Sequence, residues 1–233
     1  MTEPVTRPFV ALLAAVLIPS AQGLACQQAR CPPLDSMAPW ARVNRAWSVE
    51  SSRGWANDSL RAVLLSLRDR DQTARQDFGA RVGDSSYARQ LIALDSALAS
   101  AFTAILDRHG VPTRAMVGAA GADAAMLIVQ HNWPLQERVL GLVKALPPGE
   151  ISSQAIAMLE DRVLVHQGKP QRYGTQFDLG RDTIFHFAAT TDLPGLEARR
   201  AKMGLPPFAQ YVCMLEDAGM HIDHRSLPRP PKP

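Results

Sequence analysis

GADAAMLIVQHNW, Gly121 to Trp133, is the stretch on which the fold turns. From Ala122 to Val129 it is apolar almost all round, and a helix with no polar face has to be enclosed by others. The stretch therefore predicts a central helix ending in Gln130 and His131, before Pro134 interrupts it. On its C-terminal side, Leu135 to Leu146 reads as an amphipathic helix stopped by Pro147, Pro148 and Gly149. The next helix is capped by Ser152 or Ser153, carries Asp161 and Arg162 in its middle, and ends at Gly168.

Upstream, two more helices carry one anomaly each. The first is predicted from Ser59 to about Arg81, with Leu60, Val63, Leu64, Leu67, Ala74 and Phe78 at helical spacing. Asp71 falls inside that stripe, four residues after Leu67 and seven before Phe78. The second is predicted from about Ser86 to Arg108, with Gly110 as its stop and Leu91, Leu98, Phe102 and Ile105 as its stripe. Asp95 falls inside it. A carboxylate on an apolar face must find a partner or shift its pKa, because an unpaired buried charge is costly.

After Pro170 the period changes. Tyr173, Thr175 and Phe177 alternate with Arg172 and Gln176, and TIFHFA, Thr183 to Ala188, follows a turn at Leu179 to Asp182, which predicts a β-hairpin. Short helices at about Leu196 to Lys202 and Phe208 to Leu215 complete the pattern. The expected fold is mainly α: a single helical domain of about six helices with one small β-hairpin. Its expected organisation is a signal peptide over 1–25, a Pro/Trp-rich arm over 26–57, the helical domain over 58–217 and a disordered tail over 218–233.

The leader is read from Arg7, the apolar run Phe9 to Ile18, and Pro19, Ser20, Ala21 and Gly23 behind it. That run is about half of the roughly 20 residues that cross a bilayer, so no transmembrane helix is expected in the mature chain. Cleavage after Ala25 would leave Cys26 first, which makes it a candidate lipid anchor. The expected location is outside the cytoplasm, periplasmic or secreted, with or without that anchor. Three cysteines allow two arrangements: Cys31 pairs with Cys213 while Cys26 carries lipid, or Cys26 pairs with Cys31 and Cys213 stays free. Pro32, Pro33 and Pro39 precede Trp40, Trp47 and Trp55, an arm whose tryptophans pack on the domain.

Composition excludes some functions. Of 233 residues 46% are hydrophobic, enough for a core, and the net charge is only +3 with basic and acidic residues interspersed. That leaves no footprint for nucleic acid.

Five ordered segments carry a resemblance. DQTAR (Asp71 to Arg75), VQH (Val129 to His131), LEDR (Leu159 to Arg162), QRYGTQ (Gln171 to Gln176) and RRAKMGLPP (Arg199 to Pro207) make Leu67 to Leu215 resemble a functionally uncharacterised bacterial family. Leu98 and Val111 stand where that pattern has a polar residue and a Trp, and the segment after His131 is shortened. The resemblance implies a mainly helical domain and supplies no activity.

Nine polar residues fall at core-facing or hairpin positions and are expected to converge. His131 is the candidate general base, with Asp71, Asp95 and Asp161 as candidates to orient it. Arg162, Gln171, Tyr173, Thr175 and Gln176 are the candidate ligand-binding groups, able to hold developing negative charge. The competing reading is a buried polar network that only satisfies backbone groups. HExxH and EF-hand spacings are missing, so no metal site is expected, and without a dinucleotide or flavin loop no cofactor is expected either. The expected role is binding of a small molecule or peptide in a polar pocket. The alternatives are hydrolysis or group transfer by His131, and a protein-interaction module built on the tryptophan arm.

Overall fold

The computed structural model describes residue 31, residues 38–49 and residues 54–228. The leader, Cys26 and the last five residues lie outside them. Among the described residues there are eight α-helices and one two-stranded hairpin. The mainly helical expectation holds, with eight helices rather than about six. In chain order they are α1 (Pro39–Ser48), α2 (Asp58–Ala74), α3 (Ser85–His109), α4 (Arg114–Val129), α5 (Trp133–Lys144), α6 (Ser153–His166), β1 (Phe177–Leu179), β2 (Phe185–Phe187), α7 (Leu196–Lys202) and α8 (Phe208–Asp217).

The starts of α2 to α6 are fixed by side-chain oxygens that answer orphan N–H groups. Asn57 accepts from the Leu60 N–H, Asp84 from Ser86 and Tyr87, Thr113 from Met116, Asn132 from Leu135, and Ser152 from Ala155. α4 runs through the centre as its composition requires, and α2 packs most extensively against it. α3, α5, α6 and α1 also touch α4. α3 is long and apolar enough, by length and composition, to cross a membrane. Here Leu91, Leu98, Phe102 and Leu106 on one face are buried in the fold.

α2 stops at Ala74, seven residues short of the expected Arg81. The chain turns at Gly79 because it meets the C-terminal segment there: a Cβ on Gly79 would lie 2.5 Å from the Ala218 carbonyl oxygen and 2.6 Å from Gly219 Cα. Only glycine permits that backbone approach. Residues 218–228, expected as part of a disordered tail, are instead ordered against the hairpin. Phe185 bridges to Ile222, and Met220 and Ile222 are buried. The hairpin itself is shorter than its alternating pattern suggested, with Phe177 opposite Phe187 and Leu179 opposite Phe185. Residues 173–176 are loop, not strand.

The arm is helical from Pro39, with proline at the first turn where its missing N–H costs nothing. α1 lies on α7 and α4: Asn44 Nδ2 donates to the Gly204 carbonyl at 2.7 Å, and Trp47 Nε1 to Asp123 Oδ2 at 2.9 Å. Trp55 bonds to Asp58 and lies under the Arg61 guanidinium, 3.9 Å from its ring centre. Trp40, Trp47 and Trp55 are all half-buried. Of the two cysteine arrangements, the Cys31–Cys213 disulfide is the one present, joining the arm to α8.

Two large apolar clusters divide the interior. One is helical, including Leu64, Leu67, Leu98, Phe102, Val129 and Leu159. The other gathers Phe78, Tyr87, Leu91, the hairpin phenylalanines and α8. Asp71 follows Leu67 of the first and precedes Phe78 of the second, and Asp95 sits between Leu91 and Leu98 in the same way. The anomalous carboxylates therefore mark the seam where the two clusters meet.

Candidate functional site

At this seam Asp71 and Asp95 share one cation. Arg75, the C-cap of α2 and one turn after Asp71, places Nε 3.0 Å from Asp71 Oδ1 and Nη2 against Asp95 Oδ1. Gln72 Nε2 donates to the other Asp71 oxygen at 2.8 Å. The Asp71 side chain is fully buried, whereas that of Asp95 keeps 16% exposure and forms the edge nearest solvent. Burial raises both carboxyl pKa values, outweighing Arg75, and pushes Asp95 up to about 6.

His131 lies between the end of α4 and Asn132, the cap of α5, and this junction turns its ring inward. Its side chain is 4% exposed, and Nε2 is 3.7 Å from Asp71 Oδ2, beyond hydrogen-bond reach. That nitrogen is buried with no hydrogen-bond partner among the described residues. Burial, helped by the charges of Arg75 and Arg162, holds the imidazole pKa well below its usual value, so the ring is neutral at pH 7. Arg162, on α6, is 4% exposed and reaches only Gln130 Oε1, at 3.4 Å, through Nη2. Its Nε and Nη1 are buried and lack a partner among the described residues. Burial lowers its pKa to about 10, so it stays charged.

Four of the expected site residues thus come together: Asp71, Asp95, His131 and Arg162. Asp161, Gln171, Thr175 and Gln176 belong to a different network, which is closed on itself. Asp161 accepts from the backbone N–H groups of Arg172 (2.7 Å), Tyr173 (3.0 Å) and Thr175 (3.0 Å) and from the Thr175 hydroxyl (3.0 Å). Burial raises its pKa, against those bonds. Gln171 Nε2 donates to the Gln176 and Ala188 carbonyls, both at 3.0 Å, while its Oε1 accepts from the Gln176 N–H at 2.8 Å. Gln176 Nε2 donates to Thr175 Oγ1 at 2.9 Å. Tyr173 is buried, and its carbonyl accepts from Arg200 Nη1 at 2.6 Å. For these five residues the polar atoms described hold the loop to α6 and α7, so the reading as a structural network fits them better than a ligand site.

Tyr211 links the two networks. Its hydroxyl donates to the Thr175 carbonyl at 3.0 Å, and Arg162 and Arg200 both lower its pKa against a larger upward effect of burial. Sequence reasoning passed over Arg75, Gln130, Arg200 and Tyr211 as site residues. Arg75 carried a usable signal, since it stands four residues after a buried acid on one helix.

Among the described residues the His131 side chain, 4% exposed, does not open to the surface. A shallow groove of about 760 Å3 runs beside the cluster, lined by Ala62, Leu65, Arg70, Thr73, Ala74 and Leu94 among others. Ala74 and Leu94 are the chain neighbours of Arg75 and Asp95. A second hollow, of about 570 Å3, lies by Cys213, Gly79 and Gly219.

One pH dependence follows. Asp95 takes up its proton at about pH 6 when folded but near 3.8 when unfolded. Between those values the folded chain binds more protons, so stability falls as pH rises through that window. Asp95→Asn should remove roughly 2–3 kcal/mol of that fall. Denaturant midpoints measured at pH 4, 5 and 6 check it; an unchanged slope in the variant would show that Asp95 titrates alike in both states.

None of the curated proteins matches this chain, and none of the solved structures does. Residues 58–223, which hold both polar networks, match DUF6624, a family of unknown function, and the chain belongs to that family.

Proposed function

We propose that the chain is an exported protein that binds a small molecule or peptide through the seam cluster of Asp71, Arg75, Asp95, His131 and Arg162. The supporting observation is that His131 Nε2 and two Arg162 nitrogens are buried without a partner among the described residues. Folded chains satisfy such atoms almost everywhere, and an exception calls for an explanation such as strain, a catalytic role or a bound water or ion. The Cys31–Cys213 disulfide supports export, because such bonds persist in oxidising compartments. A thermal-shift screen against small molecules and short peptides tests the reading. His131→Ala should fold and lose the ligand-dependent rise in midpoint. A variant that keeps every shift would remove His131 from the site.

A second reading, hydrolysis or group transfer, draws on the protonation states. A neutral imidazole can take a proton, and a carboxyl with a pKa of about 6 can return one near neutral pH. Turnover of an ester or amide hit from the screen, abolished by His131→Ala with binding retained, would favour this reading over binding alone.

A further inference from the structure

We infer that the ligand carries an oxyanion, a carboxylate or a phosphate, and that Arg162 receives it. This rests on the seam cluster being a binding site. The candidate acids are answered elsewhere, Asp71 and Asp95 by Arg75 and Asp161 by four donors of the 172–175 loop. Among the described residues Arg162 is left with one long bond to a neutral amide.

Arg200 shows what a structural arginine looks like in this same chain. It is fully buried too, but it donates to the carbonyls of Pro206 (2.8 Å), Tyr173 (2.6 Å) and Gly174 (3.2 Å), leaving Nη2 alone without a partner. Arg162 has the converse pattern, with two nitrogens unanswered and the third weakly held. A buried cation in that condition is costly unless something pairs with it. A guanidinium matches planar or tetrahedral oxyanions through short, charge-assisted bonds. His131 Nε2 is a second unanswered polar atom in the same cluster, able to donate in one tautomer. The cluster meets solvent at Asp95, beside the groove walled by Ala74 and Leu94.

The test titrates sodium phosphate and sodium acetate against sodium chloride at matched ionic strength and pH 7, reading the thermal midpoint and the 15N resonance of Arg162 Nε. Phosphate or acetate, but not chloride, should raise the midpoint and shift that resonance, and the larger response identifies the ligand group. Arg162→Lys should weaken the apparent affinity by about tenfold or more. Arg162→Met should abolish the response without lowering the unliganded midpoint, since it removes an unanswered charge. Should Arg162→Met fail to fold, the wild-type resonance and Arg162→Lys still decide. A response that survives in Arg162→Lys at full strength, or a wild-type resonance unmoved by either anion, overturns the assignment and leaves the guanidinium a hydrated structural group. In that event a neutral compound that stabilises wild type but not His131→Ala would preserve the binding reading, and the lack of one would remove both.

Discussion

Asp161→Ala should destabilise the chain by about 4–6 kcal/mol, a large part of the roughly 5–15 kcal/mol that holds a typical domain together. The carboxylate is fully buried and accepts from three N–H groups of the 172–175 loop and one hydroxyl. Truncation leaves the N–H groups of Arg172, Tyr173 and Thr175 unanswered, at about 1–3 kcal/mol each before relaxation. A graded series separates this from a simple cavity effect. Thr175→Val keeps the three N–H groups paired but removes the hydroxyl that donates to Asp161 and accepts from Gln176 Nε2, and should cost about 1–3 kcal/mol. Asp161→Asn keeps the volume but points an amide N–H at donors, so it should fall between the two. Urea midpoints of the three variants check the order. If Asp161→Ala costs no more than Thr175→Val, the loop is not held by this acid, and the network would be available for another role.

The same series bears on the candidate site. Asp161, Gln171, Thr175 and Gln176 bond mainly to backbone, whereas Asp71, Asp95 and Arg162 meet side chains, and His131 and Arg162 leave atoms unanswered among the described residues. Sequence alone made these eight look alike, because each is a polar residue at a core-facing or hairpin position. Helical periodicity was enough to mark Asp71 and Asp95 as buried, since a period of 3.6 places them within the stripes of Leu67 and Leu91. It could not sort the acids by partner, because the donors to Asp161 come from a loop more than ten residues away.

The misreadings share that origin. Alternation over Tyr173, Thr175 and Phe177 imitates a strand, yet residues 173–176 are buried because the loop wraps a carboxylate and an arginine. Met220 and Ile222 are isolated apolar residues among polar ones, so nothing in their spacing announced that they join the cluster of Phe185. Long-range contacts outweighed local pattern in both places. The helical core, by contrast, was readable from Gly121 to Trp133, because an all-apolar helix has only one place to go.

Reducing the Cys31–Cys213 bond, or replacing Cys31 by Ser, should lower stability by about 3–5 kcal/mol and the thermal midpoint by roughly 10 °C. The two cysteines are 182 residues apart, and closing a loop of that size restricts the unfolded chain by up to about 5 kcal/mol in the chain-entropy account. The competing expectation is local. Cys31 precedes α1, outside the span that matches the family, and α1 is otherwise tied down by Asn44 on Gly204 and Trp47 on Asp123. If those bonds and the α1 contacts with α7 open independently of the core, reduction would free the arm and leave the domain at full stability. Hydrogen exchange across residues 39–48, run beside thermal unfolding with and without reductant, distinguishes the two. A fall in midpoint with protection of α1 lost only on global unfolding supports the loop-closure account. Rapid exchange confined to α1 at an unchanged midpoint would mean that the bond fastens the arm and contributes nothing to the fold of residues 58–223.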